Sequence, residues 1–485
     1  MDLAKLHSCA HVPESVNRES LTFHGFYGLC EFHFFLCSDG IMMAVKENFK
    51  RRLNAFDAAM IVSGAIIGAG IFMNPAESAK FLQSSSQLLL VWALGGFIAF
   101  LGALCFSELG TMFPESGGQV VYLEEAFSPW VGFLFGWTLF STIQTGALAA
   151  VAFTCARFVS TFIPMGDFKV SLLAASFIWI LSLVNFFGIK PGSIVQNIFS
   201  CLKITALLAI IVIGILFLRT SSLQLGPLFP EGLNLRMLNF MGLALMPVLF
   251  SYGGWQNLNF VAGEVKHPER NMPIAIMTGV SVVIFIYVLS NAVFAGALPL
   301  SEIGASTKLA SDAMEVMIGP FGAKFVAIAI IISTFGFTNV VIMTGPRVYY
   351  MMAKNKMFLP LAGKLHPRFQ TPHYSIFLQS IWATVLLFSN TYGQLLQFVT
   401  FGDWIFFGLT ALGLIVLRKK LPDIPRPYRT WGYPVVPLLF SVVAFAVVIN
   451  VFFSSFWKSL IGMLIISAGL PIFYWTRRKE VKHEV

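Results

Sequence analysis

Apolar residues fill this chain in long unbroken stretches separated by short polar ones, and the period fits neither strands nor amphipathic surface helices. Twelve such segments are read, at about 56–82, 87–113, 129–162, 168–187, 192–218, 240–263, 272–298, 323–353, 374–390, 394–417, 433–453 and 457–476. All but 374–390 reach the roughly 20 residues that a helix needs to cross a bilayer. The connecting loops are short, and the one around 299–322, with Pro299, Ser301 and Gly319, has space for a short helix. Residues 1–45 break the pattern. They mix His, Cys, Glu and Asp with an aromatic patch at Phe32–Leu36 that is too short for a span. No basic n-region followed by an apolar h-region marks a cleaved signal peptide, and a disordered extension is expected.

Composition sharpens this into an all-α integral membrane protein. Of 485 residues 57% are hydrophobic and only 11% charged, with 50 Phe, where a soluble chain carries about 25% charged residues. Unbroken apolar runs also exclude an outer-membrane barrel, whose strands alternate. The net charge of +9 does not point to nucleic acid, because excess Lys and Arg in a membrane protein gather in cytoplasmic loops. With the N-terminus inside, the inner segments hold 20 Lys and Arg and the outer loops 6. Both termini are therefore expected to be cytoplasmic, in a cell (inner or plasma) membrane. The six Cys show no Cys-x-x-Cys spacing, so neither a zinc site nor a disulfide framework is suggested. No cofactor is expected.

Two spans are interrupted. Gly64-Ala65-Ile66-Ile67-Gly68-Ala69-Gly70-Ile71-Phe72 concentrates glycine in the middle of the first, with Pro75 beyond. Glycine weakens a helix by about 1 kcal/mol relative to alanine, and proline suits a first turn. A half-helix starting near Gly70 leaves the amides of Ala69, Gly70 and Ile71 free at its positive end, a seat for a carboxylate. In the sixth span, Phe250-Ser251-Tyr252-Gly253-Gly254-Trp255 has the same character, and its free carbonyls suit an ammonium group. Close helix packing of the Gly-x-x-x-Gly kind is the alternative reading. The breaks, however, hold corresponding places in two five-span halves, the usual pointer to a transporter's binding site. Five crossings invert the second copy, so the breaks are expected to meet near the midplane, where irregular backbone must line a cavity.

Further motifs carry a resemblance. Ile67–Phe72, Ala103-Leu104-Cys105-Phe106-Ser107-Glu108-Leu109-Gly110-Thr111, Pro114–Gly118, Phe250–Trp255, Gly345-Pro346-Arg347 and Arg426–Pro434 occur in an order that resembles the amino acid–polyamine–organocation superfamily. Within it the chain looks most like the L-type amino acid transporter branch and its bacterial relatives. The resemblance implies a LeuT-type fold, five plus five inverted helices and two extra. The domain reading is 46–220 for the first repeat, 235–420 for the second, 430–476 for the last two spans and 477–485 for a tail. It also implies a free amino acid as cargo. Mammalian light chains of this branch carry a cysteine after span three that tethers a heavy chain. Pro164-Met165-Gly166-Asp167 has none, so no disulfide-linked partner is expected. Where the family often has serine, Ala69 stands, which shifts carboxylate recognition to backbone amides.

The implied substrate site comprises Ile66, Gly68, Ala69, Gly70 and Ile71 with Phe250, Ser251, Tyr252, Gly253 and Asn259. Phe250 resembles the family's aromatic gate, although position alone distinguishes it from packing. Lys203 lies inside span five, and an intramembrane lysine is a functional candidate whose alternative is quiet burial. In the resemblance it occupies the place of a sodium ion, which argues for sodium independence. Thr338 and Asn339 are read as polar groups of the side-chain pocket. Glu108, Glu264 and Arg347 are read as a cytoplasmic charge cluster or as structural caps. The expected function is sodium-independent exchange of free, neutral amino acids by alternating access. A proton-coupled amino acid or polyamine permease is the alternative, but neither break contains a carboxylate. A membrane enzyme is disfavoured because the spans hold no cluster with metal-ligand or triad spacing, and a channel usually needs a symmetric assembly. Deletion of residues 1–41 is expected to leave membrane insertion and transport intact, checked by uptake in cells; loss of either would refute the dispensable extension.

Overall fold

The computed structural model describes residues 22–23, 32–37, 40–45, 49–217, 225–229, 232, 234–389 and 392–481. In the N-terminal unit, where the sequence suggests disorder, Thr22–Phe23, Phe32–Cys37 and Gly40–Val45 pair as an antiparallel sheet in that order. The aromatic run too short for a span is long enough for a strand, and Phe34 lies opposite Met43. The rest of the expected extension falls outside the described residues.

Residues 50–485 form a second unit, a helical bundle. Among the described residues ten helices are long and apolar enough to cross a membrane, from Ala55–Ala79 to Phe456–Trp475, and two shorter apolar helices lie at Arg236–Ser251 and His373–Phe388. These are the twelve segments of the hydropathy pattern, and the fold is of the LeuT type. The loop after span seven holds two short helices, Leu300–Ala305 and Leu309–Ile318, and the loop after span two holds Gln119–Ala126.

Local chemistry sets the helix ends. Asn54 caps span one in a capping box, its Oδ1 accepting from the Asp57 amide at 2.8 Å while Asp57 Oδ2 accepts from the Asn54 amide. Such caps satisfy amides that have no partner inside the helix. Asn234 caps the first half of span six by accepting from the Met237 amide at 2.8 Å. Span three is interrupted differently, by a π-helical turn at Leu139–Ile143. Span seven packs along span two and along the first half of span one, while span eight packs along spans three and five.

The expected charge cluster divides in two. Arg347 donates from Nε to Glu264 Oε1 at 2.7 Å, with both side chains buried. Glu108 instead accepts from Arg418 Nε and Nη2 at 2.8 and 2.6 Å and from the Thr430 amide at 2.7 Å, with Arg426 Nε 3.6 Å away. It thereby ties span two to span ten and the following loop. Removing one member of a buried pair typically costs about 3–5 kcal/mol, because the other charge is left uncompensated. Glu108→Ala is expected to destabilise the protein by about that amount, read as a lowered melting temperature in detergent; unchanged melting would deny Glu108 this role.

Candidate substrate site

Both interruptions are real breaks in the helices. Span one runs as helix over Ala55–Ile66, leaves it at Ile67 with ψ 96°, and resumes as Gly70–Ala79. Span six is helical over Leu235–Ser251, turns through Tyr252–Gln256, and resumes as the short helix Asn257–Phe260. The two breaks face each other. A Cβ on Gly70 would stand 2.7 Å from Ser251 Oγ, and one on Gly254 would run into the Ala65 carbonyl. Gly254 also has φ +118°, a conformation that side chains other than glycine's avoid. Asn74, one turn into the resumed helix, donates to the Pro247 carbonyl at 3.1 Å and to Ser251 Oγ at 2.8 Å. This cross-link carries no motif, so the sequence gives no sign of it.

The polar groups at the junction sort by sign. Among the described residues no acceptor meets the amides of Gly68 and Ala69. Those of Gly70 and Ile71 lie in a first turn, where a helix supplies no internal acceptor. Ala69 and Gly70 are half-buried, whereas Gly68 and Ile71 are buried. On the other side the carbonyls of Ser251 and Gly253 accept no hydrogen bond among the described residues. Phe250 O accepts from the Gly253 amide at 3.2 Å, and Ile66 O accepts from Tyr287 Oη at 3.1 Å. Ile66 O keeps a second lone pair, while Phe250 O also lies against the Tyr252 amide.

The carbonyls on the far side of the first break are satisfied by side chains. Lys203, fully buried, donates from Nζ to Gly64 O at 2.9 Å and to Ile67 O at 2.7 Å. Ser333 donates to Ile67 O at 3.2 Å and to Gly68 O at 3.0 Å. Lys203 is thus held by the carbonyl end of the first half-helix, with no carboxylate partner among the described residues. Tyr287 and Ser333 were not legible as site residues, because an isolated hydroxyl in an apolar span carries no pattern.

Other expected residues are placed elsewhere. Phe250 stands at the lip, 37% exposed. Tyr252 is buried against the Trp92 and Tyr287 rings, with centroids 5.8 and 5.0 Å away. Asn259 accepts from Tyr122 Oη at 3.0 Å and packs at Gly110 and Gly118; the short helix after the break turns it away from the first-span residues. Asn339 joins Asn185, Gly192 and Gln196 in a link between spans four, five and eight. Thr338 bonds back to its own helix at Thr334 O. Beyond the break, Asn257 and Thr344 share a hydrogen bond of 2.7 Å, and Gln144, next to the π-helical turn, donates to both.

The segment before span one is tied to the end of span six. Below the sixth-span break the Glu264 carbonyl accepts from the amides of Arg52 and Leu53 at 2.8 and 2.9 Å, and Lys266 donates back to Leu53 O. The buried Glu264–Arg347 pair lies in the same region.

Paired, opposed breaks in a helical membrane bundle are the arrangement found at the binding sites of secondary transporters. The chain belongs to the amino acid permease family, which it matches over residues 53–470. It is 31% identical to human b(0,+)-type amino acid transporter 1 over 434 residues, 88% of each chain. Human large neutral amino acids transporter small subunit 2 is likewise 31% identical over 448 residues, 89% of this chain and 82% of the relative. The serine/threonine exchanger SteT of Bacillus subtilis is 29% identical over 443 residues, 90% of this chain and all of the relative. The resemblance carried by the motifs therefore holds: this is a multi-pass amino acid transporter, not an enzyme. Gly254→Ala is expected to destabilise the fold by about 1–3 kcal/mol. Gly253→Ala, whose Cβ would meet only the Phe250 carbonyl at 3.3 Å, is expected to be milder. Melting curves of the two variants check this, and equal stability would show that the Gly254 contact carries no strain.

Proposed function

We propose that the protein exchanges free amino acids across a cell membrane by alternating access, without sodium. The substrate carboxylate rests on the amides of Ala69, Gly70 and Ile71, beside Gly68. Its ammonium faces the carbonyls of Ile66, Phe250, Ser251 and Gly253. The observation that carries this reading is the contact of Gly70 with Ser251, which sets the positive end of one half-helix against the negative end of another. Helix ends supply partial charges of about half a unit, so a zwitterion is held without a charged side chain at either break. A neutral side chain is therefore accepted there. Phe250 closes the path above the substrate while the bundle carrying spans one and six rocks against spans three and eight.

Sodium independence rests on Lys203, whose Nζ donates to the carbonyls of Gly64 and Ile67 and so takes up oxygens that a metal cation would otherwise need as ligands. The excess of basic residues in alternate loops supports cytoplasmic termini, which puts the Glu264–Arg347 end inside and the Phe250 lip outside. The segment Pro164–Asp167 offers no cysteine for a heavy chain, and the protein is proposed to work without a disulfide-linked partner.

The test is counterflow into proteoliposomes preloaded with amino acid. Wild-type exchange is expected to be unchanged when sodium is replaced by choline. Gly70→Val, which drives a side chain into Ser251, is expected to abolish exchange while the purified protein stays folded. Normal exchange by this variant would sink the site assignment.

A further inference from the structure

Span ten contains a carboxylate that no part of the foregoing explains. Asp403 lies eleven residues into the helix Tyr392–Lys420, about 16 Å along a rod about 43 Å long, and so deep in the membrane. Among the described residues its carboxylate has no ion pair and no hydrogen bond. A carboxylate at this depth is costly and is tolerated where it faces a cavity or a partner.

Its direction follows from the helix period. Residues three, four and seven apart share a face, so Asp403 stands in line with Phe407, Thr410 and Leu414, all buried. Its sequence neighbours Phe401, Gly402 and Trp404 are buried as well. Asp403 itself is only half-buried. Its stripe faces the bundle interior, because Phe407 and Leu414 on it belong to the buried core. One turn along, Phe407 stacks on Trp255 with centroids 5.1 Å apart. Trp255 belongs to the sixth-span break, two residues past the open carbonyl of Gly253. On the adjoining side Gly402 packs against Thr138 and Ile143, at the π-helical turn of span three.

We propose that Asp403 forms the side-chain end of the substrate pocket and binds the cationic group of a basic amino acid, so that the protein carries lysine- or arginine-like substrates beside neutral ones. This rests on the reading of the two breaks as the seat of the α-carboxylate and α-ammonium. A single carboxylate among aromatic rings is a poor metal site, since hard cations collect six or more oxygens. An ammonium or guanidinium is matched by one carboxylate and gains further from neighbouring rings. Such a substrate would supply the charge that the pocket lacks.

The experiment is counterflow of radiolabelled L-arginine and L-leucine by the full-length protein in proteoliposomes. Wild type is expected to exchange both. In Asp403→Asn the ratio of arginine to leucine exchange is expected to fall at least tenfold, and Asp403→Glu, which keeps the charge, is expected to restore most of it. As a measure of binding apart from transport, arginine is expected to raise the melting temperature of wild type and of Asp403→Glu but not of Asp403→Asn. Wild type that exchanges leucine but not arginine would overturn the proposal, as would an Asp403→Asn ratio within twofold of wild type. Exchange of neither amino acid by wild type would bring down the proposed function itself, and this inference with it.

Discussion

A bilayer offers no water to the backbone, so any peptide group inside it that is not bonded within a helix must find another partner or line a cavity. Nearly every other feature of this protein can be traced to how that demand is met at two places. At the first-span break the helix gives up its bonds at the amides of Gly68 and Ala69. The carbonyl side is repaired by Lys203, Ser333 and Tyr287, which reach in from spans five, eight and seven. The amide side is left open. At the sixth-span break the carbonyls of Ser251 and Gly253 are the ones without donors. Selective repair turns two structural defects into a polarised cradle.

Holding the cradle together requires close backbone contact, and glycine provides it. Gly70 and Gly254 bring spans one and six together at points where a side chain would collide. Asn74 then fastens the resumed half of span one to Pro247 and Ser251. The Asn257–Thr344–Gln144 group fastens the resumed half of span six to spans eight and three. These polar contacts matter more here than in a soluble core, because packing of apolar surface against lipid or against another helix differs little in free energy.

Charge is distributed by the same logic. Two buried pairs lie near the ends of spans, Glu264–Arg347 and Glu108–Arg418, and the Lys203 amine rests on a helix terminus. The paired sets cross between elements distant in sequence: span six to span eight, and span two to span ten. Breaking such pairs costs more than forming them gains, which suits an interface that opens as a unit and reseals elsewhere.

Much of this was written in the amino-acid order. Hydropathy determined the twelve crossings, because solvation by lipid acts on each segment alone. The glycines at 64–70 and 253–254 marked where helices had to fail, since that is a matter of local backbone preference. The motifs identified the family. Three-dimensional partnerships lay beyond local reading. That Asn259 turns to Tyr122 and Asn339 to Gln196, that Glu108 and Glu264 belong to separate clusters, and that Asn74 bridges the breaks all depend on contacts more than eighty residues apart in the chain. Polar side chains in a membrane are too few to form patterns, and each can satisfy itself in several directions. Which direction it takes is decided only when the helices are packed, because only then does it become clear which neighbour remains unsatisfied.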